Sequence, residues 1–224
     1  MTLPQHIGII MDGNRRWAKK RLLPAAMGHK KGAEVFRERV TDLAAIGVAN
    51  VTFYALSTEN LQRNEDEVKH LFRLFETQLY DLDRLTNEHD IRLSFIGDLS
   101  VFSDKLLRKM QSVEKDSGDN KGLTCRLALN YGGKAEIVRA ANEIRLSGIV
   151  ADESAFEGFL YTKGAPDVDL VIRTGGEKRL SNFLLWQAAY AELYFTDTLW
   201  CDFSKKELQS ALDDYSGRNR RMGK

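Results

Sequence analysis

The chain is 224 residues long, 43% apolar and 29% charged, and its 33 Lys and Arg against 32 Asp and Glu leave a net charge of about +1. This is the composition of a soluble globular protein long enough for one domain with a sizeable core, and the balanced charge gives no reason to expect a nucleic-acid partner. No stretch approaches the roughly 18 apolar residues of a membrane span. Cys125 and Cys201 lack metal-ligand spacing and read as reduced thiols, so a cytoplasmic protein with a single domain over 1–224 is expected.

HIGIIM (6–11) predicts a short strand; the opening MTLPQHIGIIMDG has no basic leader and its apolar run stops at Asp12, unlike a signal peptide. Residues 29–46, with Val35, Ala44 and Ile46 set among charges, predict a helix, and NVTFYAL (50–56) predicts the second strand. Residues 65–89 place Val68, Leu71, Phe72, Phe75, Leu79, Leu82 and Leu85 at three- and four-residue steps, the pattern of a long amphipathic helix. Then come strand IRLSFIG (91–97), a helix near 103–115, strand LTCRLALNY (123–131) and a helix near 134–146. DLVIRT (169–174), ELYFT (192–196) and a helix near 204–215 complete the series. Strands separated by helices imply the α/β class: one mostly parallel six-stranded sheet flanked by helices on both faces.

In such sheets ligands sit beyond the carboxyl ends of the strands. Four polar or glycine-rich turns fall there: Asp12-Gly13-Asn14, Ser57-Thr58-Glu59-Asn60, Asn130-Tyr131-Gly132-Gly133 and Arg173-Thr174-Gly175-Gly176-Glu177. Turn geometry explains the small residues, but not an acid and several arginines beside them. Gly13 and Asn14 can present backbone N–H groups to a phosphate at a helix start, with Arg15 and Arg16 adding charge. Asp12 suits Mg²⁺, leaving other coordination positions to phosphate oxygens and water. Arg173 and Arg179 with Ser181, between glycines and a helix, look like a second anion pocket. Neither a Walker A loop nor a dinucleotide fingerprint occurs. His29, in GHKKG, is a phosphate ligand, a proton carrier or a structural histidine. The apolar face of the 65–89 helix is broader than one packing stripe needs, as expected of a hydrocarbon channel, a core face or a dimer face.

Together HIGIIMDGNRRWAKK, GHKKGAE, FYALSTEN, RLSFIGD, NYGGKAEI, DLVIRTGGEKRLSNFLLWQAAYAELYF and the closing RNRRMG resemble the cis-prenyltransferases, in particular the bacterial undecaprenyl diphosphate synthases, in order from His6 to Gly223. The resemblance implies a homodimer with an apolar tunnel, in peripheral contact with the inner face of the membrane. It also implies condensation of isopentenyl diphosphate onto farnesyl diphosphate with Z double bonds, or a short- or medium-chain version of that chemistry; a non-catalytic partner subunit is the reading from another class. Carried over by position, Asp12 and Asn60 are catalytic, Asp12 is a Mg²⁺ ligand, and Glu192 is a metal-site or dimer-bridging carboxylate. Substrate is bound by Gly13, Asn14, Arg15, Arg16, Trp17, His29, Ser57, Thr58, Glu59 and Arg63, and by Arg173, Arg179 and Ser181 on the isopentenyl side. Leu71, Phe75 and Leu123 line the tunnel, with Leu123 limiting its depth, and Arg221 and Gly223 reach the partner's site. Four positions depart from the usual bacterial pattern: Arg15 stands for Gly, Ala25 for Arg, Leu61 for an aromatic and Asn64 for Pro. Arg15 and Arg21 are the candidates to replace the cation missing at Ala25.

Overall fold

The computed structural model describes residues 2–62 and 65–218. Six strands form one sheet: β1 (His6–Ile10), β2 (Asn50–Tyr54), β3 (Arg92–Ile96), β4 (Thr124–Ala128), β5 (Leu170–Arg173) and β6 (Glu192–Phe195). Their order is β3-β4-β2-β1-β5-β6 and every pairing is parallel, so the sheet is wholly rather than mostly parallel. All of β1 and β5 is buried, which is why these strands read as continuous apolar runs rather than alternating ones.

Among the described residues six α-helices lie between strands, α1 (Asn14–Lys20), α2 (Ala25–Ile46), α3 (Glu65–Glu88), α4 (Asp104–Asp116), α5 (Gly133–Ser147) and α6 (Glu153–Glu157), and α7 (Lys205–Gly217) follows β6. Ser103 and Ser204 cap α4 and α7, accepting hydrogen bonds from the N–H groups of Leu106 and Glu207. One core lies between the sheet and α2, α3, α4 and α7, and includes Phe36, Leu43, Leu79, Met110 and Leu212; a second, with Tyr131, Phe183 and Leu184, lies across the sheet. α1 and α6 lie outside the helical segments expected from periodicity. The helix expected after Ser181 is instead a chain of turns, with Ser181, Asn182 and Leu184 at φ of 50°, 65° and 43°.

The strand order places the site. From β1 the chain moves outward to β2 and eventually to β3, then returns to lay β5 on the other side of β1. The crossovers therefore diverge at the carboxyl ends of β1 and β5, where such sheets open a crevice. Ile10 and Arg173 are register partners at that end, so Asp12 emerges beside Arg173. The turn that carries Asp12 needs glycine: Gly13 has φ 116°, and a Cβ there would meet Leu199 at 2.9 Å. Gly28 allows α2 to cross α1, because a Cβ there would stand 2.1 Å from the Asn14 carbonyl oxygen.

Candidate active site

Asp12 stands between two guanidinium groups. Arg173 Nη2 donates to its Oδ2 at 3.0 Å, and Arg16 Nη2 lies 3.0 Å from its Oδ1. Arg173 is 4% exposed, and its Nη1 donates to Ser181 Oγ at 2.7 Å and to the Arg179 carbonyl at 2.5 Å. Arg16 Nη1 donates to the Gly175 carbonyl at 2.6 Å. The loop carrying Asp12 is fixed to the loop after β5 by Thr174, whose hydroxyl accepts from Asp12 N–H at 3.0 Å and donates to Asp12 O at 2.7 Å. One hydrogen-bonded unit thus spans both strands of the crevice.

These residues open into a cleft of about 1200 Å³, which also meets Gly13, Asn14, Arg15, His29, Ser57, Glu59, Asn60 and Arg179. No side chain caps the start of α1, and the N–H groups of a helix's first turn have no partners within the helix, so this start suits an anion. Across the cleft, Ser57 N–H donates to Asn60 Oδ1 and Asn60 N–H to Ser57 Oγ, each at 3.2 Å, closing the loop after β2 on itself. Partial burial raises the Glu59 pKa, but hydrogen bonds from its own backbone, Ser57, Asn182 and Thr58 outweigh this and hold the carboxyl below its usual range.

A second cavity, about 140 Å³, runs from the cleft between the sheet and α2 and α3. The two share Met11, Asn14, His29, Ala55 and Leu71, so a polar chamber leads into an apolar one lined by Phe36, Phe72, Phe75, Leu82, Phe102 and Leu127. This accounts for the broad face of α3: Leu79 is buried in the core, whereas the buried Leu82 and the half-buried Leu71, Phe72 and Phe75 line the cavity.

The sequence pattern of the family described as "Putative undecaprenyl diphosphate synthase" matches residues 10–223. The chain is 45% identical over its whole length to an isoprenyl transferase of Neisseria meningitidis, covering 90% of that protein, and 44% identical to one of Aquifex aeolicus, covering 97%. Its fold is similar to lavandulyl diphosphate synthase from Lavandula x intermedia, solved with dimethylallyl diphosphate (TM-score 0.96, 38% identity, 99% of each chain). It is also similar to a probable undecaprenyl diphosphate synthase from Campylobacter jejuni (TM-score 0.85, 32% identity, 100% of each chain). The chain belongs to the undecaprenyl diphosphate synthase family. It is a prenyltransferase.

Against the positions carried over from this family, the structure brings Asp12, Gly13, Asn14, Arg15, Arg16, His29, Ser57, Glu59, Asn60, Arg173, Arg179 and Ser181 to one cleft. Trp17 is directed elsewhere: its Nε1 donates to Asp202 Oδ1 at 2.7 Å and Arg21 stacks on its ring, so it ties α1 to the loop before α7. Arg21 pairs with Asp202 as well, which leaves Arg15 as the cleft-lining member of the two candidates near Ala25. Thr58 is held in the loop framework by its N–H, which donates to Tyr131 O, and does not line the cleft. Glu192 begins β6, three strand positions from the end that meets Arg173, about 10 Å at the usual rise. It pairs with Arg218 at 2.7 Å, so it does not share a metal with Asp12 of its own chain. Leu123 is buried in the core at the foot of β4 and does not line the 140 Å³ cavity. Arg63, Asn64, Arg221 and Gly223 lie outside the described residues.

The turn after β4 contributes support rather than lining. Tyr131 O accepts the Tyr54 hydroxyl at 3.0 Å, and Asn182 O accepts Gly133 N–H at 2.7 Å. Tyr54, Thr174 and Asn182 are the positions that residue type alone did not single out. Thr174 and Asn182 each stand directly after a candidate, Arg173 and Ser181, and that adjacency was the available signal. Among the described residues no three His, Cys, Asp or Glu side chains converge as a metal cage. Asp12 alone nevertheless fits Mg²⁺, which is characteristically held by one or two carboxylates together with substrate phosphates and water.

Proposed function

We propose that the protein condenses isopentenyl diphosphate with an allylic diphosphate, forming a Z double bond at each addition. The observation that carries this reading is the continuity of the arginine-lined cleft with an apolar cavity, a shape that suits a molecule with an anionic head and a hydrocarbon tail. Gly13, Asn14, Arg15 and Arg16 receive the allylic diphosphate; Arg179, Ser181 and Arg173 receive the isopentenyl diphosphate. As the allylic carbon–oxygen bond breaks, the isopentenyl double bond supplies the electrons of the new carbon–carbon bond and a proton leaves the adjacent carbon. The arginines stabilise charge growing on the departing diphosphate, and the fixed cleft holds the reacting carbons together. Asn60 and Ser57 position the allylic group and the departing proton, which the released diphosphate accepts. Asp12 would hold Mg²⁺, whose chemistry is partial neutralisation of the diphosphate.

Undecaprenyl diphosphate as product follows the names of the family and of the Campylobacter relative; farnesyl diphosphate as primer, and the product's role as carrier lipid of cell-wall synthesis, are part of the proposal and rest on the sequence resemblance. A second reading, a short- or medium-chain product, is favoured by the cavity's size: about 140 Å³ is close to the roughly 150 Å³ that accommodates one benzene. The working form is a homodimer in contact with the inner face of the membrane. Incubation with Mg²⁺, labelled isopentenyl diphosphate and either farnesyl or dimethylallyl diphosphate tests the proposal. Labelled allylic products with Z geometry by NMR are expected, and their carbon number separates the two readings. No incorporation with either primer would overturn the proposal in favour of a non-catalytic partner subunit.

A further inference from the structure

Four consecutive residues just before α7 each hold a different residue of the segment that opens α1. Leu199 packs on Gly13, where a Cβ would stand 2.9 Å from its Cδ2. Trp200 N–H donates to Asp12 O at 3.0 Å. Cys201 Sγ donates to Asn14 Oδ1 at 3.2 Å, and Asp202 accepts from Trp17 Nε1. The same segment grips α2: Trp200 Nε1 donates to Gly32 O at 2.9 Å, and Cys201 Sγ lies 3.2 Å from Gly28 O. Trp200 and Cys201 are buried. Of the four residues held, Asn14 alone lines both the cleft and the apolar cavity. Its amide carries an acceptor on one limb and two donors on the other. The acceptor is turned to the thiol and packed over Gly32, where a Cβ would stand 2.7 Å from Oδ1. The NH₂ limb is therefore the one left to a ligand. Burial, aided by neighbouring Asp202, pushes the Cys201 pKa up to about 12, so the thiol keeps its proton at neutral pH.

We propose that Cys201 is a positioning residue for the allylic diphosphate: its S–H holds the Asn14 amide with the NH₂ turned towards the diphosphate oxygens. The inference rests on the prenyl-transfer reading given above, which assigns that diphosphate to the start of α1. Without the thiol the amide is free to turn over and present its oxygen to an anion, which costs affinity. The contacts made by Leu199, Trp200 and Asp202 hold the turn in either case, so the effect is confined to Asn14.

The experiment measures kcat and the KM of each diphosphate in wild type, Cys201→Ala, Cys201→Ser, Asn14→Ala and the Cys201→Ala/Asn14→Ala double variant. Each assay contains Mg²⁺ and whichever of farnesyl or dimethylallyl diphosphate wild type accepts. Cys201→Ala is expected to raise the allylic KM about 3- to 10-fold, the scale of one neutral hydrogen bond, with the isopentenyl KM unchanged. Cys201→Ser keeps a donor and is expected to recover most of that loss. In the Asn14→Ala background, removing the thiol is expected to change neither KM, because residues that act through one contact are not additive. An unchanged allylic KM in Cys201→Ala would overturn the proposal. So would an equal effect of Cys201→Ala with and without Asn14, the mark of a merely structural role, or a serine variant no better than alanine. Should Cys201→Ala fail to fold, Cys201→Val fills the site without a donor and is read in its place; should Asn14→Ala be inactive, recovery by Cys201→Ser decides. Absence of incorporation by wild type would instead sink the prenyl-transfer reading, and this inference with it.

Discussion

Asp12 illustrates how much a single side chain has to satisfy. Its two oxygens face Arg173 and Arg16, and its main chain is bound on both sides by Thr174. Removing the carboxylate has two separable consequences. Asp12→Asn keeps an acceptor for Arg173 but loses the charge that suits a metal; turnover is expected to fall at least 100-fold, the scale of losing one preorganised electrostatic group, with circular dichroism and unfolding nearly unchanged. Asp12→Ala also strands the buried Arg173 and is expected to cost roughly 1–3 kcal/mol of stability in urea unfolding. Near-normal rates for Asp12→Asn in Mg²⁺ would remove Asp12 from the chemistry. On the reaction proposed above, Arg173 would act on the isopentenyl substrate, and Arg173→Ala is expected to raise the isopentenyl diphosphate KM by about 10- to 100-fold, since a hydrogen bond to a charged group contributes roughly 1.5–3 kcal/mol. Steady-state kinetics varying each diphosphate separately would expose a wrong assignment if the allylic KM moved instead.

At the scale of elements, the six strands were legible because parallel strands buried on both faces must be apolar, and the sequence shows six such runs. Their carboxyl ends were read too long for the same reason. Leu56, Leu129 and Tyr131 are buried beyond the last ladder pairs of β2 and β4, and apolarity reports burial rather than pairing. Periodicity does not show α1, because Arg15, Arg16, Lys19 and Lys20 leave no apolar stripe in seven residues; only its start, at Gly13 and Asn14, is legible, from the turn. The stretch after Ser181 is expected to be a helix, yet turns bury Phe183 and Leu184 there. The cleft was readable where an acid or arginine ended a strand. The apolar cavity leading inward was not, because it depends on how far apart α2 and α3 stand.

β1 also carries a pH dependence. His6 Nδ1 donates to Pro166 O and its Nε2 pairs with Thr52 Oγ1, both at 2.8 Å, so that in the neutral ring Nε2 is the acceptor. Burial, aided by nearby Arg126, lowers its pKa to about 4. Above the unfolded value near 6.5 both states are neutral; as pH falls from there towards 4, only the unfolded chain takes the proton, so stability is lost across that window. Between pH 7 and pH 5 the loss from this group is expected to be about 2 kcal/mol, read as the difference between wild type and His6→Gln in urea unfolding. Equal pH slopes in the two proteins would show that His6 does not titrate in this way.

For the molecule as a whole, near-zero net charge coexists with a cleft where Arg15, Arg16, Lys19, Arg173 and Arg179 outnumber Asp12 and Glu59, so positive charge is concentrated in the cleft proposed to take the diphosphates. The sheet leaves its ends to be covered. β3 packs against α4, and β6, at the other edge, packs against α7 with Arg218 donating to Leu193 O at 3.1 Å, yet all four β6 residues are only half-buried and Tyr190 just before it is 74% exposed. An edge of this kind is a template for association unless it is covered, and a second copy placed there would also approach the Glu192–Arg218 pair. Light scattering at micromolar concentration is therefore expected to give about 51 kDa, twice the 25.4 kDa of one chain. Tyr194→Asp, which sets a charge on the edge strand, is expected to shift that mass towards the monomer. A wild-type monomer with full prenyltransferase activity would show that the site needs nothing from a second chain and that the β6 edge is tolerated bare.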